Sequence, residues 1–323
     1  MKNLALVLLI GLCTSFVSSP AISQDTFNVR YSWKLKGEYA PFYVAQDNGY
    51  FKERHLEVRL GEGAGASAAL AGLLQGQEDV VVLPAVFALT AISKGMPVKI
   101  VALYHPAAPL AIVSHPDKPI SVPKDLEGKT LAVATGDTIA AYLPVLCKLN
   151  DVDCTKVGTA MMAVGVRGSQ FLARQVDGFG MYLNTDFPIL QSQVSKPLVT
   201  LKLSDYGLPL PGLSIVTSDS MIAGSGDRLR RFMAAVGQGM ENTRADPDGA
   251  TKALLRAWSS GPSEEFVKIQ IEETLAAIPF DSGKPVGWID PKAIEGALWL
   301  LKEGGEIDTI MPSATYYTNV LVE

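Results

Sequence analysis

Hydrophobic and polar positions follow two alternating patterns from about residue 27 onward. Short apolar runs rich in β-branched residues, such as 80–83 and 98–103, are typical of buried strands. Segments with helical spacing of apolar residues, such as 41–47, separate them. Strands that alternate with helices predict parallel sheets joined by crossover helices. The pattern therefore predicts an α/β protein.

Two segments rich in proline and glycine interrupt this pattern. The first carries four prolines within 106–119, and the second is Gly-Leu-Pro-Leu-Pro-Gly at 207–212. We expect both to connect two lobes, because about 300 residues exceed what one core usually serves. Residues 24–112 and 213–323 are predicted to form the first lobe, with a largely helical C-terminus, and residues 113–212 the second. A cleft between such lobes is a common place for small ligands, and hinge closure would enclose them.

The first 23 residues predict a secretory signal peptide. Lys2 precedes an apolar run at 4–12, and the small residues Ala21 and Ser23 follow it. The run is shorter than the ~20 residues that span a bilayer. Leu12 precedes Cys13, where a lipoprotein signal needs a small residue. We expect cleavage after Ser23 and a mature protein without a lipid anchor in the periplasm.

Charge and composition argue against several functional classes. The chain has 33 acidic and 28 basic residues, for a net charge of −5, and no basic block, so nucleic acid is not an expected partner. It has three histidines and no G-x-S-x-G or H-E-x-x-H motif. We therefore expect no catalytic site, no metal site and no cofactor.

Two cysteines remain after removal of the leader. Cys147 and Cys154 have six residues between them and would lie in an oxidising compartment, which favours a local disulfide. The alternative is a buried Cys147 and a free Cys154 in a loop.

A glycine-rich loop at 61–66 follows a predicted strand and formally matches a dinucleotide-binding fingerprint. That fingerprint needs an acidic residue at the end of the next strand, but Asp79 precedes the strand at 80–83. Dinucleotide binding is therefore not expected. Two interpretations remain: the helix start at Ser67 cradles an anionic or carbonyl group, or Ser67 caps a tight turn.

Five segments together resemble a known family over nearly the whole mature chain. It is the family of ABC-transporter binding proteins for thiamine pyrimidine precursors, alkanesulfonates, taurine and nitrate. The segments are Ala-Pro-Phe-Tyr-Val-Ala at 40–45, Gly-Tyr-Phe-Lys-Glu at 49–53, Leu-Glu-Val at 56–58, Pro-Lys-Asp-Leu-Glu-Gly-Lys-Thr at 123–130 and Asp-Tyr-Gly-Leu-Pro at 205–209.

The resemblance implies a type II periplasmic-binding-protein fold and a transport role. The expected protein is a monomer that captures a small organic solute by hinge closure and delivers it to an ABC-transporter permease in the inner membrane. The solute class stays open between a heteroaromatic, such as a pyrimidine, and a small sulfonate, carboxylate or nitrate-type anion. The alternatives are an exported enzyme related to thiamine-pyrimidine synthases, whose cysteine cluster this chain lacks, and a periplasmic ligand-sensing module.

Besides Ser67, four candidate ligand-binding residues come from the first lobe. Trp33 follows the first strand at its carboxyl end, which faces the ligand crevice in open α/β sheets, and relatives stack an aromatic residue on the ligand near this place. Tyr39 and Phe42 are predicted as further walls, with core packing as the favoured alternative for Phe42. His105 follows the strand at 98–103 and is predicted to line the cleft.

The second lobe supplies candidates for polar contacts. Arg167 and Ser169 open a predicted helix, where a guanidinium can grip a carboxylate or sulfonate through paired hydrogen bonds. A solvated surface arginine is the alternative. Thr138 follows another strand and is predicted to contact solute, whereas Asp137 is expected to cap the helix.

Asn184 and Asp186 follow the predicted strand at 178–181, near the place where relatives contact polar groups of the solute. Asp186 is predicted either to accept a hydrogen bond from an amino group or to cap the helix that begins at Phe187.

Overall fold

The computed structural model describes residues 24–134 and 137–322, which form two five-stranded sheets flanked by helices. The strands are β1 (Asp25–Tyr31), β2 (Leu56–Gly61), β3 (Val80–Pro84), β4 (Val98–Leu103), β5 (Leu110–Ser114), β6 (Thr130–Val133), β7 (Gly158–Met161), β8 (Gly178–Tyr182), β9 (Val199–Lys202) and β10 (Leu213–Ser218).

The helices of the described residues begin and end close to where apolar spacing and capping residues place them. Asp246 and Asp290 each precede a proline and accept a hydrogen bond from the first turn of the helix that follows, both at 2.9 Å. The helices are α1 (Ala40–Asp47), α2 (Tyr50–Glu53), α3 (Ala66–Leu74), α4 (Ala85–Ser93), α5 (Thr138–Leu149), α6 (Arg167–Leu172), α7 (Phe187–Gln191), α8 (Asp219–Ala245, with a break at Ser225), α9 (Pro247–Ala257), α10 (Glu264–Ala276), α11 (Pro291–Glu303) and α12 (Ser313–Tyr316).

The two sheets share one topology. Their strand orders are β2-β1-β3-β10-β4 and β7-β6-β8-β5-β9. In each sheet two strand pairs are parallel and two are antiparallel, so the sheets are mixed rather than mostly parallel as predicted. The antiparallel pairs arise because β5 and β10, the first strands after the two crossings, run against both of their neighbours. The predicted α/β two-lobed fold is confirmed.

The two crossing segments lie side by side between the lobes. The Gly212 amide donates to the His105 carbonyl at 2.8 Å, and the Ala108 amide donates to the Leu210 carbonyl at 2.7 Å. A Cβ atom on Gly212 would lie 2.9 Å from the Cβ of Ala108, so only glycine permits this approach. The predicted boundary at residue 113 falls inside β5, because the prolines at 106 and 109 complete the turn and the strand already begins at Leu110.

The C-terminal segment contacts both lobes, although it was predicted as part of the first. Helices α8 and α9 pack against α1 of the first lobe. In contrast, α10 reaches the second lobe through Gln270, whose Nε2 donates to the Thr185 carbonyl at 2.6 Å. The side chains of Glu303, at the end of α11, and Lys148, in α5, form an ion pair. The helical C-terminus therefore bridges the lobes.

A disulfide joins Cys147 in the last turn of α5 to Cys154, with the Cα atoms 5.6 Å apart. It ties the end of that helix to the short turn at Cys154–Lys156. The predicted signal peptide at 1–23 lies outside the described residues. Within 24–134 and 137–322, no helix has the length and apolar content that a membrane crossing requires.

Candidate functional site

A cavity of about 1020 Å³ lies between the two lobes. Its walls come from the carboxyl ends of β1 and β3 in the first lobe and of β8 in the second, and from the starts of α3, α5 and α6. Eight of the ten predicted site residues line it: Trp33, Tyr39, Ser67, His105, Thr138, Arg167, Ser169 and Asp186. The structure thus brings together side chains that lie as much as 153 positions apart in the sequence (186 − 33).

The first wall is built where the glycine-rich loop pairs with the backbone after β1. The amide of Gly63 donates to the Trp33 carbonyl at 3.1 Å, and that of Gly65 donates to the Ser32 carbonyl at 2.7 Å. A Cβ on Gly63 would lie 2.0 Å from the Tyr31 carbonyl oxygen, so the loop requires glycine there. This pairing holds Trp33 at the cavity with 39% of its surface exposed.

Ser67 was predicted either to cap a tight turn at the start of α3 or to help cradle a solute group. It does not cap the helix, so the first interpretation is wrong. The helix begins at Ala66 with Gly65 as its N-cap, and no side chain makes a capping hydrogen bond. Ser67 is therefore the second residue of the helix, and it borders the cavity together with Ala66 and Ala68. The amides of Gly63 and Gly65 are engaged by the backbone after β1, so the first turn of α3 is the part of this loop left to face a solute.

Tyr39 and Phe42 have different surroundings. The Tyr39 ring stacks on Tyr31 with the centroids 4.0 Å apart, is 2% exposed, and borders the cavity with its remaining surface. Phe42 is fully buried, meets the Tyr31 ring edge-on at 5.6 Å, and does not border the cavity. Its place in the predicted site is therefore corrected to the core of the first lobe, because α1 turns this side chain toward β1.

A charge pair connects the lobes across the cavity. Lys36 Nζ lies 2.9 Å from Asp186 Oδ2 and 3.4 Å from the Thr185 hydroxyl. Asp186 precedes α7 but makes no capping bond, because its backbone is already helical (φ −96°, ψ −29°), whereas a capping side chain needs an extended backbone. The capping interpretation for Asp186 is therefore wrong, since its carboxylate binds Lys36.

A second charge pair lies within the second lobe. Arg167 Nη1 binds the Asp137 carboxylate, and Asp137 also caps α5 by accepting from the Ile139 amide at 2.8 Å. The guanidinium lies 5.7 Å from the centroid of the Phe179 ring. Burial raises the pKa of Asp137, and the neighbouring Arg167 opposes that shift. Arg167 is therefore neither a solvated surface residue nor an uncompensated positive charge.

Hydroxyl groups of the second lobe complete this wall. Thr138, the first residue of α5, is 9% exposed and lies near Tyr182 at the end of β8. Burial raises the pKa of Tyr182, so its phenol stays protonated. Ser169 is exposed at the cavity and donates its hydroxyl to the Val166 carbonyl at 2.9 Å.

His105 and Asn184 both contact Thr274 of α10. His105 is buried, and its Nε2 donates to the Thr274 carbonyl at 3.2 Å. Burial lowers the pKa of His105 to about 4, so the ring is neutral near pH 7. Asn184 is 1% exposed, donates to the Thr274 hydroxyl at 3.0 Å, and does not border the cavity. Its predicted solute contact is corrected to a contact between the second lobe and α10.

Several residues of the cavity were not predicted from the sequence. Lys36 and Glu38 lie between two predicted residues, Trp33 and Tyr39, in the segment after β1, and that position was the available signal. Burial raises the pKa of Glu38, which is half-buried, and the nearby Lys36 opposes the shift. Phe87 belongs to α4, a helix that the apolar pattern did not reveal. In the chain segments that the structure describes, no three histidine, cysteine or acidic side chains are grouped to hold a metal ion.

Two lobes of this topology around a central cavity define a periplasmic-binding-protein fold. The periplasmic aliphatic sulphonate-binding protein SsuA of Escherichia coli shares it, with a TM-score of 0.72 and 14% identity over 91% of this chain and 92% of that one. The model of the NMT1/THI5-like family matches residues 36–250. The chain belongs to this family, as the sequence segments predicted.

Two curated proteins resemble the chain over most of its length. A formylaminopyrimidine-binding protein of Halalkalibacterium halodurans is 25% identical over 260 residues, covering 77% of this chain and 76% of that protein. The riboflavin-binding protein RibY of Chloroflexus aurantiacus is 24% identical over 294 residues, covering 88% of this chain and 81% of that protein.

Proposed function

We propose that this protein is the solute-binding component of an ABC importer, exported to the periplasm, and that its solute is a planar heteroaromatic molecule. The observation that carries the proposal is the cavity between the lobes, which presents aromatic side chains from both sides. Solute entering there contacts both lobes at once, so binding favours the closed arrangement. A permease in the inner membrane would then receive the solute from the closed protein, which acts as a monomer.

The lining of the cavity favours an aromatic solute over a small inorganic or aliphatic one. Trp33, Tyr39 and Phe87 lie on the side of the first lobe, and Phe179 and Tyr182 on the side of the second. Aromatic rings pair through offset or edge contacts worth about 0.5–1.5 kcal/mol beyond their burial. A cavity of about 1020 Å³ is also at the upper end of the roughly 300–1,000 Å³ typical for drug-sized ligands, and it far exceeds the volume of nitrate.

The relatives support a role in binding rather than catalysis. Both are named for the compounds that they bind, a formylaminopyrimidine and riboflavin, and both compounds are nitrogen heterocycles. The neutral His105 donates its Nε2 proton to a main-chain carbonyl, which gives it a structural partner on that side. These observations favour a carrier whose cavity selects and releases an unaltered solute.

Closure would use the two crossings as a hinge. The crossings are short, they are bonded to each other, and they lie at one edge of the cavity. The ion pair of Lys36 and Asp186 joins the lobes at another point. Opening of the cleft would separate this pair while the crossings absorb the backbone rotation.

Native mass spectrometry and isothermal titration calorimetry test the proposal. The full chain is expressed with its leader and purified from the periplasmic fraction. It is measured once as purified and once after its ligand has been stripped by dialysis in denaturant and the protein has been refolded. We expect a co-purified small molecule that absorbs in the near ultraviolet, and saturable binding of a formylaminopyrimidine or riboflavin by the stripped protein. Failure of the stripped protein to bind either compound would contradict the proposed solute class, and turnover of either compound would contradict the role as a carrier.

A further inference from the structure

Five charged side chains line the cavity, and four of them neutralise one another. Lys36 pairs with Asp186 at 2.9 Å, and Arg167 pairs with Asp137. Each positive group that a solute would meet is thus already bound to a carboxylate. The fifth is Glu38, which has no ion-pair partner in residues 24–134 and 137–322.

This balance leaves the cavity with an excess of one acidic group. Glu38 lies in the turn Gly37–Tyr39, two residues after Lys36 and directly before Tyr39, and it borders the cavity. Burial and the nearby Asp186 both act to raise the pKa of Glu38, while Lys36 acts to lower it. A half-buried carboxyl in such surroundings gains most from a partner that donates a hydrogen bond or carries positive charge.

We propose that Glu38 determines solute specificity by accepting a hydrogen bond from an amino or protonated ring-nitrogen group of the heteroaromatic solute, and that the cavity discriminates against anionic solutes. This inference rests on the proposed function and concerns the same cavity. It assigns the role of selecting residue to a side chain that borders the same cavity as the aromatic rings of Trp33, Tyr39 and Phe87.

The same charge balance explains the discrimination against anions. A sulfonate entering the cavity loses water, and a positive side chain is one of the groups that can recover that loss. Lys36 and Arg167 are available only if Asp186 or Asp137 gives up its own partner, which leaves a carboxylate unpaired near the anion. A neutral ring with an N–H donor requires neither exchange.

The alternative role for Glu38 is structural, through its interaction with the neighbouring Tyr39 in the same turn. If the role of Glu38 is structural, its replacement should weaken the binding of all aromatic solutes to the same degree. If Glu38 selects the solute, its replacement should weaken the binding of only those solutes that donate a hydrogen bond to its carboxylate. Two ring compounds of nearly equal shape distinguish these cases.

The experiment is calorimetric titration of 4-amino-2-methylpyrimidine and of 2,4-dimethylpyrimidine, which replaces the amino group by a methyl group. Both are titrated into the wild-type full chain and into the variant Glu38→Gln. The control variant is Glu241→Gln, because Glu241 is exposed on α8 and does not line the cavity. We expect Glu38→Gln, which replaces a charged acceptor by a neutral one, to weaken binding of the amino compound about 5- to 10-fold, because a charge-assisted hydrogen bond is roughly twice as strong as a neutral one. Binding of the dimethyl compound should change less than about twofold. Glu241→Gln should behave as wild type.

Three outcomes would overturn parts of this reasoning separately. Equal binding of the amino compound by wild type and Glu38→Gln removes the selecting role and leaves the proposed function standing. Equal weakening of both pyrimidines assigns Glu38 to structure. Binding of ethanesulfonate by the wild type as tightly as the amino compound removes the discrimination against anions. If both pyrimidines and riboflavin all fail to bind the wild type, the proposed function itself fails.

Discussion

Replacement of Gln270 by methionine tests how the C-terminal helices hold the two lobes together. Gln270 is 2% exposed and makes two buried hydrogen bonds. Its Oε1 accepts from the Gly37 amide at 2.9 Å, and its Nε2 donates to the Thr185 carbonyl at 2.6 Å. One bond reaches the turn that carries Glu38, and the other reaches the second lobe. Methionine fills a similar volume without either bonding group.

The expected loss of stability follows from the two backbone groups that lose their hydrogen-bond partner. A buried donor or acceptor left unsatisfied costs about 1–3 kcal/mol, so Gly37 and Thr185 together lose about 2–6 kcal/mol. Burial of the apolar methionine side chain in place of an amide recovers about 1–2 kcal/mol. We therefore expect the free energy of unfolding to fall by about 2.5 kcal/mol, the middle of the range of about 0–5 kcal/mol that these two estimates allow.

Urea unfolding monitored by circular dichroism measures this change. Gln77→Met is the matched control, because Gln77 is exposed and its side chain bonds to the nearby Gln75 and to no other residue within 24–134 and 137–322. Such a surface change typically alters stability by less than about 0.5 kcal/mol. A loss for Gln270→Met no larger than that of the control would refute the bridging role. A loss of stability with unaltered solute affinity would place the role of Gln270 in the fold alone.

Four further predictions concern other parts of the molecule. Trp33→Ala should weaken binding of a heteroaromatic solute by more than about 1 kcal/mol, and solute should quench Trp33 fluorescence in the wild type; an unchanged dissociation constant would remove Trp33 from the site. Phe42→Ala should cost about 3–5 kcal/mol in urea unfolding, because it opens a cavity in the core, and a cost below about 1 kcal/mol would contradict the core assignment. Because the pKa of His105 is about 4 when folded and about 6.5 when unfolded, stability should fall by about 2 kcal/mol between pH 7.5 and pH 5, and His105→Gln should abolish that part of the loss. Reduction of the Cys147–Cys154 disulfide should lower the free energy of unfolding by about 2 kcal/mol, as a short closed loop implies, and identical unfolding with and without reductant would contradict this.

The fold followed from local signals where those signals were strong. The strand predicted at 98–103 has the same bounds in the structure, and the strand predicted at 80–83 differs from β3 by one residue, because each is an apolar run that ends at clear turn residues. The strands β5 and β9 were missed. β5 lies among prolines that mark the crossing, and its partners are distant in sequence, so local pattern gave no reason to pair it.

The sequence indicated which residues border the cavity better than it indicated which residues they contact. The rule that ligands lie at the carboxyl ends of strands brought Trp33, Thr138 and Arg167 to the cavity. The partners of these residues depend on how the lobes meet, which no local pattern contains. Asp186 is the clearest case, since its partner Lys36 lies 150 residues away on the other lobe. Asn184, which was predicted to contact the solute, instead bonds to Thr274 of α10, a helix about 90 residues later in the chain.

Closure of the cleft and selection of the solute use the same side chains in the proposed mechanism. Lys36 and Asp186 lie on opposite lobes, so their pair exists only when the lobes meet. In the open form Lys36 would be available to an anion, but an anion that kept it would deprive Asp186 of its partner and so oppose closure. A neutral solute that donates to Glu38 leaves the pair intact and adds contacts from both walls. The charge pairs would therefore allow anions to enter the open cleft but penalise their retention, and the permease would meet closed protein loaded mainly with the heteroaromatic solute.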